Sequence, residues 1–145
     1  MIEELLEDLR VDEGWRNLVY DDATGKTIKK GSVVKGHPTI GHGFLVSSGE
    51  GLPVHIGEQW LNYAAMQKWS QLCAREPWIL DQPEHIQRAL GNMSYQMGVD
   101  GLLGFRKMLQ ALEDGDRRWA RIEALDSDWA AQTPERAARV TGLIR

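Results

Sequence analysis

Apolar residues recur along this chain at helical spacing, except in one stretch near its start. Ile2, Leu5, Leu6 and Leu9 fall at i, i+3, i+4 and i+7, which predicts a short amphipathic helix. Glu3 and Glu4 lie in its first turn and Gly14 just past its end. From Trp15 to Phe44 the texture changes. Leu18 and Tyr20 alternate with Asn17 and Val19, and Asp21-Asp22-Ala23-Thr24-Gly25 reads as a turn. Thr27-Ile28 and Ser32-Val33-Val34 are short strand candidates, and Gly36-His37-Pro38 leads into Thr39-Ile40-Gly41. The expectation is a small antiparallel sheet of about three strands, which must pack on helices to be stable. Ser47-Ser48-Gly49-Glu50-Gly51 reads as a loop.

Beyond Pro53 the helical period returns. Leu61, Ala65, Trp69, Leu72 and Cys73 predict a helix from about residue 56 to 75, stopped by Pro77 and long enough to join the sheet to a helical half. Asp81-Gln82-Pro83-Glu84 is a helix start, followed by the most regular stripe in the chain: Ile86, Ala89, Leu90, Met93 and Met97. Gly98 and Gly101 break it. Phe105, Met108, Leu109 and Leu112 predict a further helix closed near Gly115, and Asp116 can cap one carrying Trp119 and Ile122. Thr133 and Pro134, as N-cap and first helical residue, start the last helix, with Ala137, Val140 and Ile144 facing in. The fold class expected is α+β, a mostly helical lobe plus a small three-stranded antiparallel lobe joined by a long helix. No repeat or linker divides the 145 residues.

Composition narrows the function. A hydrophobic fraction of 42% and a charged fraction of 26% are those of a globular protein, and the net charge of −4 without a basic run leaves no nucleic-acid footprint. The single cysteine, Cys73, cannot form an intramolecular disulfide and reads as a small core residue. His37, His42, His55 and His85 lack metal-ligand spacing, so no metal is expected. The acidic N-terminus lacks a signal peptide's regions and no apolar run could span a membrane, so a reduced, cytosolic protein is the default at synthesis.

The candidate chemistry lies between Arg10 and Phe44. Glu13 ends the first helix, where unpaired carbonyls disfavour an anion, an unusual place for a glutamate unless its proton is useful. Asp21 and Asp22 end the first strand, and either could initiate the turn at Gly25. Thr39 is followed by Gly41 and Gly43, which allow close approach of backbone to a ligand. One protonated and one ionised carboxyl are the groups glycoside cleavage requires, and here a threonine hydroxyl lies near them in sequence.

Five segments together carry a resemblance. Leu9 to Gly14, Tyr20-Asp21-Asp22, Thr39-Ile40-Gly41-His42-Gly43, Asn92 to Gly98 and Trp129 to Val140 resemble the phage T4-type lysozymes, glycoside hydrolase family 24, in order over nearly the whole chain. The resemblance implies one lysozyme-like domain over residues 1–145, with about 14–52 as β lobe and 1–13 with 53–145 as helical lobe. It implies Glu13 as general acid, Asp22 as second carboxylate and Thr39 as holder of the attacking water. Leu45, Tyr95 and Gln96 fall where the family lines its saccharide cleft. Arg136 and Arg139 fall where basic residues pair with the acidic segment, giving Arg136 near Glu13 and Arg139 near Asp12; Trp129 and Gln132 are structural.

The implied activity is a muramidase acting on peptidoglycan between N-acetylmuramic acid and N-acetylglucosamine. It would be a cofactor-free phage or prophage endolysin, a monomer without stable membrane insertion, waiting in the host bacterial cytoplasm for a separate holin. A lytic transglycosylase and a non-catalytic wall-binding or virion module are the rivals. The chain departs from the family in several places. Phe44 stands where a histidine is common, and His42 is not a catalytic candidate. Met108 and Glu123 replace small polar cleft residues. Lys26, Lys29, Lys30 and Lys35 extend the hairpin, either toward anionic wall groups or as solvated charges.

Overall fold

The computed structural model describes residues 2–46 and 51–145. Of the expected loop at 47–51 only Gly51 is therefore described; the rest lies outside the described residues. Helix α1 (Ile2–Glu13) is followed by strands β1 (Arg16–Asp21), β2 (Pro38–Gly41) and β3 (Phe44–Leu45). Then come α2 (Val54–Arg75), a 3-10 turn (Pro77–Asp81), α3 (Glu84–Leu103), α4 (Arg106–Glu113), α5 (Arg117–Leu125), α6 (Asp128–Gln132) and α7 (Pro134–Thr141). Helices with one three-stranded antiparallel sheet make this an α+β, lysozyme-like fold. The chain forms two compact units, Met1–Val54 and His55–Arg145.

In the first unit, α1 stops where Gly14 takes φ +63 and its N–H reaches back to the Arg10 carbonyl at 3.2 Å. Only glycine adopts that backbone at no steric cost, so the stop is written at this position. The stripe Ile2, Leu5, Leu6 and Leu9 stays largely exposed, and α1 buries no residue. The sheet runs β1-β2-β3 in space, with Tyr20 opposite Thr39 and Asp21 opposite Pro38. A register irregularity lies between Arg16 and Tyr20. The turn at Asp21–Gly25 forms as expected, closed by the Gly25 N–H on the Asp21 carbonyl at 2.8 Å.

The strand assignments differ at two of the candidate segments, and the third strand is instead Phe44–Leu45. Thr27 makes only an isolated bridge to Tyr20, and Ser32-Val33-Val34 is not a strand. The Ser32 hydroxyl instead accepts from the Lys29 N–H at 2.9 Å, closing a local turn that competes with extended pairing. Pro38–Gly41 takes the central place in the sheet.

The hydrophobic core lies in the second unit. Ile86, Ala89, Leu90 and Met93 of α3 are fully buried, as their spacing predicts, with Leu72, Leu102, Leu112, Val140 and Ile144. Each large apolar side chain so buried contributes about 1.5–3 kcal/mol before entropy is counted. Met108 is 1% exposed and belongs to this core on the inward face of α4 with Leu109 and Leu112, as its helical spacing predicts, and it also lies at the floor of a pocket lined by Phe105, Glu123 and Trp129. The break expected at Gly98 is present: with φ +81 and ψ 162 this residue is not helical, and Glu84–Leu103 is two helical stretches joined across a kink there, the second running through Gly101 to Leu103. Pro77 opens a 3-10 turn as well as ending α2. Asp116 caps α5 as expected, accepting from the Trp119 N–H at 2.9 Å. Thr133 sits at the start of α7 but does not cap it; its hydroxyl donates back to the Trp129 carbonyl at 2.9 Å, completing the short helix α6 that precedes it. Cys73 is half-buried and free, and desolvation pushes its thiol pKa up, which suits a packing residue.

Candidate active site

Glu13 is the last residue of α1 and is exposed. The chain turns at Gly14 into Trp15, and the β2–β3 turn returns His42 and Gly43 to the same place. The rings of Trp15 and His42 lie 5.1 Å apart at 55°. A Cβ at Gly43, whose φ is +73, would overlap Glu13 Oε2. The glycine therefore permits the carboxylate to rest on the backbone of the turn.

The two aspartates at the end of β1 have opposite environments. Asp21 is 3% exposed, and its carboxylate accepts from three main-chain donors: Lys35 at 2.8 Å, Gly36 at 2.9 Å and Ala23 at 3.1 Å. Those bonds, Lys35 foremost, lower its pKa against an opposing desolvation. Asp21 thus pins the far end of the hairpin to the strand, a structural task. Asp22 keeps its side chain 37% exposed. Its Oδ1 accepts from the His37 N–H at 2.7 Å, and its Oδ2 meets His37 Nδ1 at 3.2 Å. The His37 main-chain bond is the largest cause lowering the Asp22 pKa, with desolvation opposing and the ring adding to it.

Thr39 is 2% exposed, and its hydroxyl donates to the His37 carbonyl at 3.1 Å. The same carbonyl accepts from the Asp22 N–H at 3.1 Å. Asp22 and Thr39 are therefore joined through one residue, His37. Leu45 pairs with Thr39 across β2 and β3 and is 38% exposed. Asp12 is exposed on the last turn of α1.

Tyr95, Gln96, Arg136 and Arg139 belong to the second unit. Tyr95 is 38% exposed on α3. Gln96 accepts from the Trp129 indole N–H at 2.9 Å, which satisfies a buried donor. Arg136 donates through Nε to Asn92 Oδ1 at 2.9 Å and through an Nη to the Asn92 carbonyl at 3.3 Å. Arg139 is exposed near the end of α7.

His37 and Asn92 were not singled out by sequence reasoning. A signal for His37 was available: it precedes Pro38, which holds it extended, and so fixes its N–H beside the strand that ends in Asp22. Among the described residues, no group of three or more His, Cys, Asp or Glu side chains comes together as a metal site. No helix there is long and apolar enough to cross a membrane.

No family model matches the chain. It is 31% identical over 169 residues to the pre-baseplate central spike protein Gp5 of Enterobacteria phage T4, covering 97% of this chain and 27% of that protein. It is 40% identical over 58 residues to "Probable T4-type lysozyme 2" of Dictyostelium discoideum, covering 39% of this chain and 33% of that protein. "Probable T4-type lysozyme 1" of the same organism matches with the same identity and coverage. The chain is related in sequence to T4-type lysozymes. It spans between about a quarter and a third of the length of these curated relatives.

Proposed function

We propose that this protein is a muramidase that hydrolyses the β-1,4 bond between N-acetylmuramic acid and N-acetylglucosamine in bacterial peptidoglycan. The observation that carries the reading is the division of labour between the aspartates. Asp21 is buried and committed to the backbone, while Asp22 is open to solvent, held ionised and tied to Thr39. An ionised carboxylate beside an ordered hydroxyl suits activation of water, and Glu13 on the edge of the same unit suits protonation of the leaving oxygen. Thr39 spends its hydroxyl proton on His37, so a water would donate to the lone pairs of its Oγ1. Relatives named as T4-type lysozymes support the same substrate class.

Leu45, Tyr95 and Gln96 are proposed to touch saccharide. Arg136, held by Asn92, and Arg139 are proposed as supporting ion-pair residues. All belong, in this reading, to one lysozyme-like domain. Clearing of purified cell walls by the wild type and by Glu13→Gln tests the proposal: the wild type clears and the variant does not. Equal clearing by both, or none by the wild type, overturns it. Product mass separates hydrolysis from transglycosylation, since the hydrolysed product is one water heavier.

Deployment has two readings. A free endolysin would wait in the host cytoplasm for a holin. A relative named as a central spike protein, matched over 97% of this chain, favours instead a wall-cutting module carried on a phage particle. Co-purification with intact particles supports the second reading, and presence only in the soluble lysate supports the first.

A further inference from the structure

We propose that His37 is the positioning residue for Asp22, holding both oxygens of its carboxylate and coupling it to Thr39. The proposal rests on the reading of Asp22 as the second carboxylate. Four bonds converge on this residue. Its N–H donates to Asp22 Oδ1 at 2.7 Å, its Nδ1 reaches Oδ2 at 3.2 Å, and its carbonyl accepts from both the Asp22 N–H and the Thr39 hydroxyl at 3.1 Å. An ionised carboxylate only accepts hydrogen bonds, so Nδ1 carries a proton in this contact. With both oxygens tied, the carboxylate cannot rotate about its last torsion, and each oxygen keeps lone pairs for a substrate water.

The neighbours of His37 are built for this contact. A Cβ at Gly36 would overlap Asp22 Oδ1 and come within 2.8 Å of the Ala23 nitrogen, so only glycine brings the two chains this close. Pro38 on the other side restricts His37 to extended backbone, which aims its N–H across at Asp22. The imidazole itself is 65% exposed, so packing does not explain its orientation. An exposed pair of this kind adds little to stability. Its effect falls on orientation and charge at the carboxylate, where small displacements are costly to rate.

Three variants of the full chain test the assignment. His37→Leu removes the ring donor and keeps the N–H. His37→Asn places an amide nitrogen where Nδ1 sits, and His37→Gln places it where Nε2 sits. With soluble peptidoglycan fragments, His37→Leu and His37→Gln are expected to lower kcat about tenfold or more, with KM within about twofold of wild type. His37→Asn recovers most of kcat. By carboxyl-detected NMR, the Asp22 titration midpoint rises in His37→Leu and returns toward the wild-type value in His37→Asn. Unchanged kcat in His37→Leu, an Asn variant no better than Leu, or an unmoved Asp22 midpoint overturns the proposal. If the wild type cleaves nothing, the muramidase reading fails by itself. The Asp22 midpoint then decides on its own whether His37 holds this carboxylate.

Discussion

Gly43 faces Glu13 so closely that a methyl group at position 43 would overlap Oε2. The contact ties the identity of one glycine to the placement of the proposed acid. Gly43→Ala meets two penalties, a positive φ of +73 and the displaced carboxylate. Gly31 supplies the control: its φ is +85, yet a Cβ there has nothing within 4 Å. Both Ala variants are expected to lose about 1–2 kcal/mol in thermal or urea melts. Only Gly43→Ala is expected to lose wall clearing beyond that stability cost. Equal clearing by the two would show that Glu13 does not depend on its rest against the turn.

Asp21 makes the first unit acid-sensitive. Its folded pKa is depressed, so its contribution is fully present above the ordinary aspartate value of about 3.9 and is lost as pH falls through the folded value. Hydrogen exchange at the Lys35 and Gly36 amides is expected to accelerate as pH drops through that window, after correction for the intrinsic rate. Asp21→Asn loses acceptor capacity at all pH values. It is expected to show fast exchange already at neutral pH and no further acid step.

The Trp129–Gln96 bond sets a stability test for a residue also proposed to touch sugar. Gln96→Leu leaves an indole N–H without its acceptor, beside a ring that is 8% exposed and packed edge-on to Phe105. A loss of about 1–3 kcal/mol is expected. Gln96→Glu keeps an acceptor and is expected to retain most of that stability. If the two variants melt alike, the bond contributes nothing measurable.

Two helix starts close together are expected to respond differently. Ser127 caps α6, accepting from the Ala130 N–H at 3.2 Å, and Ser127→Ala is expected to cost about 1 kcal/mol. Thr133 stands at the start of α7 without a capping bond from its side chain. Thr133→Asn is therefore expected to supply an N-cap acceptor that is absent now, at the loss of the bond to the Trp129 carbonyl. A net change within about 0.5 kcal/mol in the melt is the expected balance.

The helical half was legible because a period of 3.6 is written by side chains that end up buried. Ile86, Ala89, Leu90 and Met93 show the pattern and are all in the core. Gly14 and Asp116 were legible because a helix end demands particular chemistry at one position. What escaped was decided between distant residues. Ser32-Val33-Val34 has strand composition, but Ser32 bonds within its own turn and the strand is not made. Thr133 has the right type for a cap, but the preceding helix claims its hydroxyl. In the candidate site, the residue types at Glu13, Asp22 and Thr39 could be read directly. The environments that divide Asp21 from Asp22 could not, since the donors to Asp21 lie at Lys35 and Gly36, across the whole hairpin.

Among the described residues of the first unit, the two buried side chains are Asp21 and Thr39, and neither is apolar. Heat capacity on unfolding rises with apolar exposure and falls with polar exposure. Opening of the first unit therefore adds little to the total, and calorimetry of the whole chain reports chiefly on the second. Among the described residues, fully buried apolar side chains are confined to the second unit, so the weakening on cooling that apolar burial brings is expected to fall chiefly there.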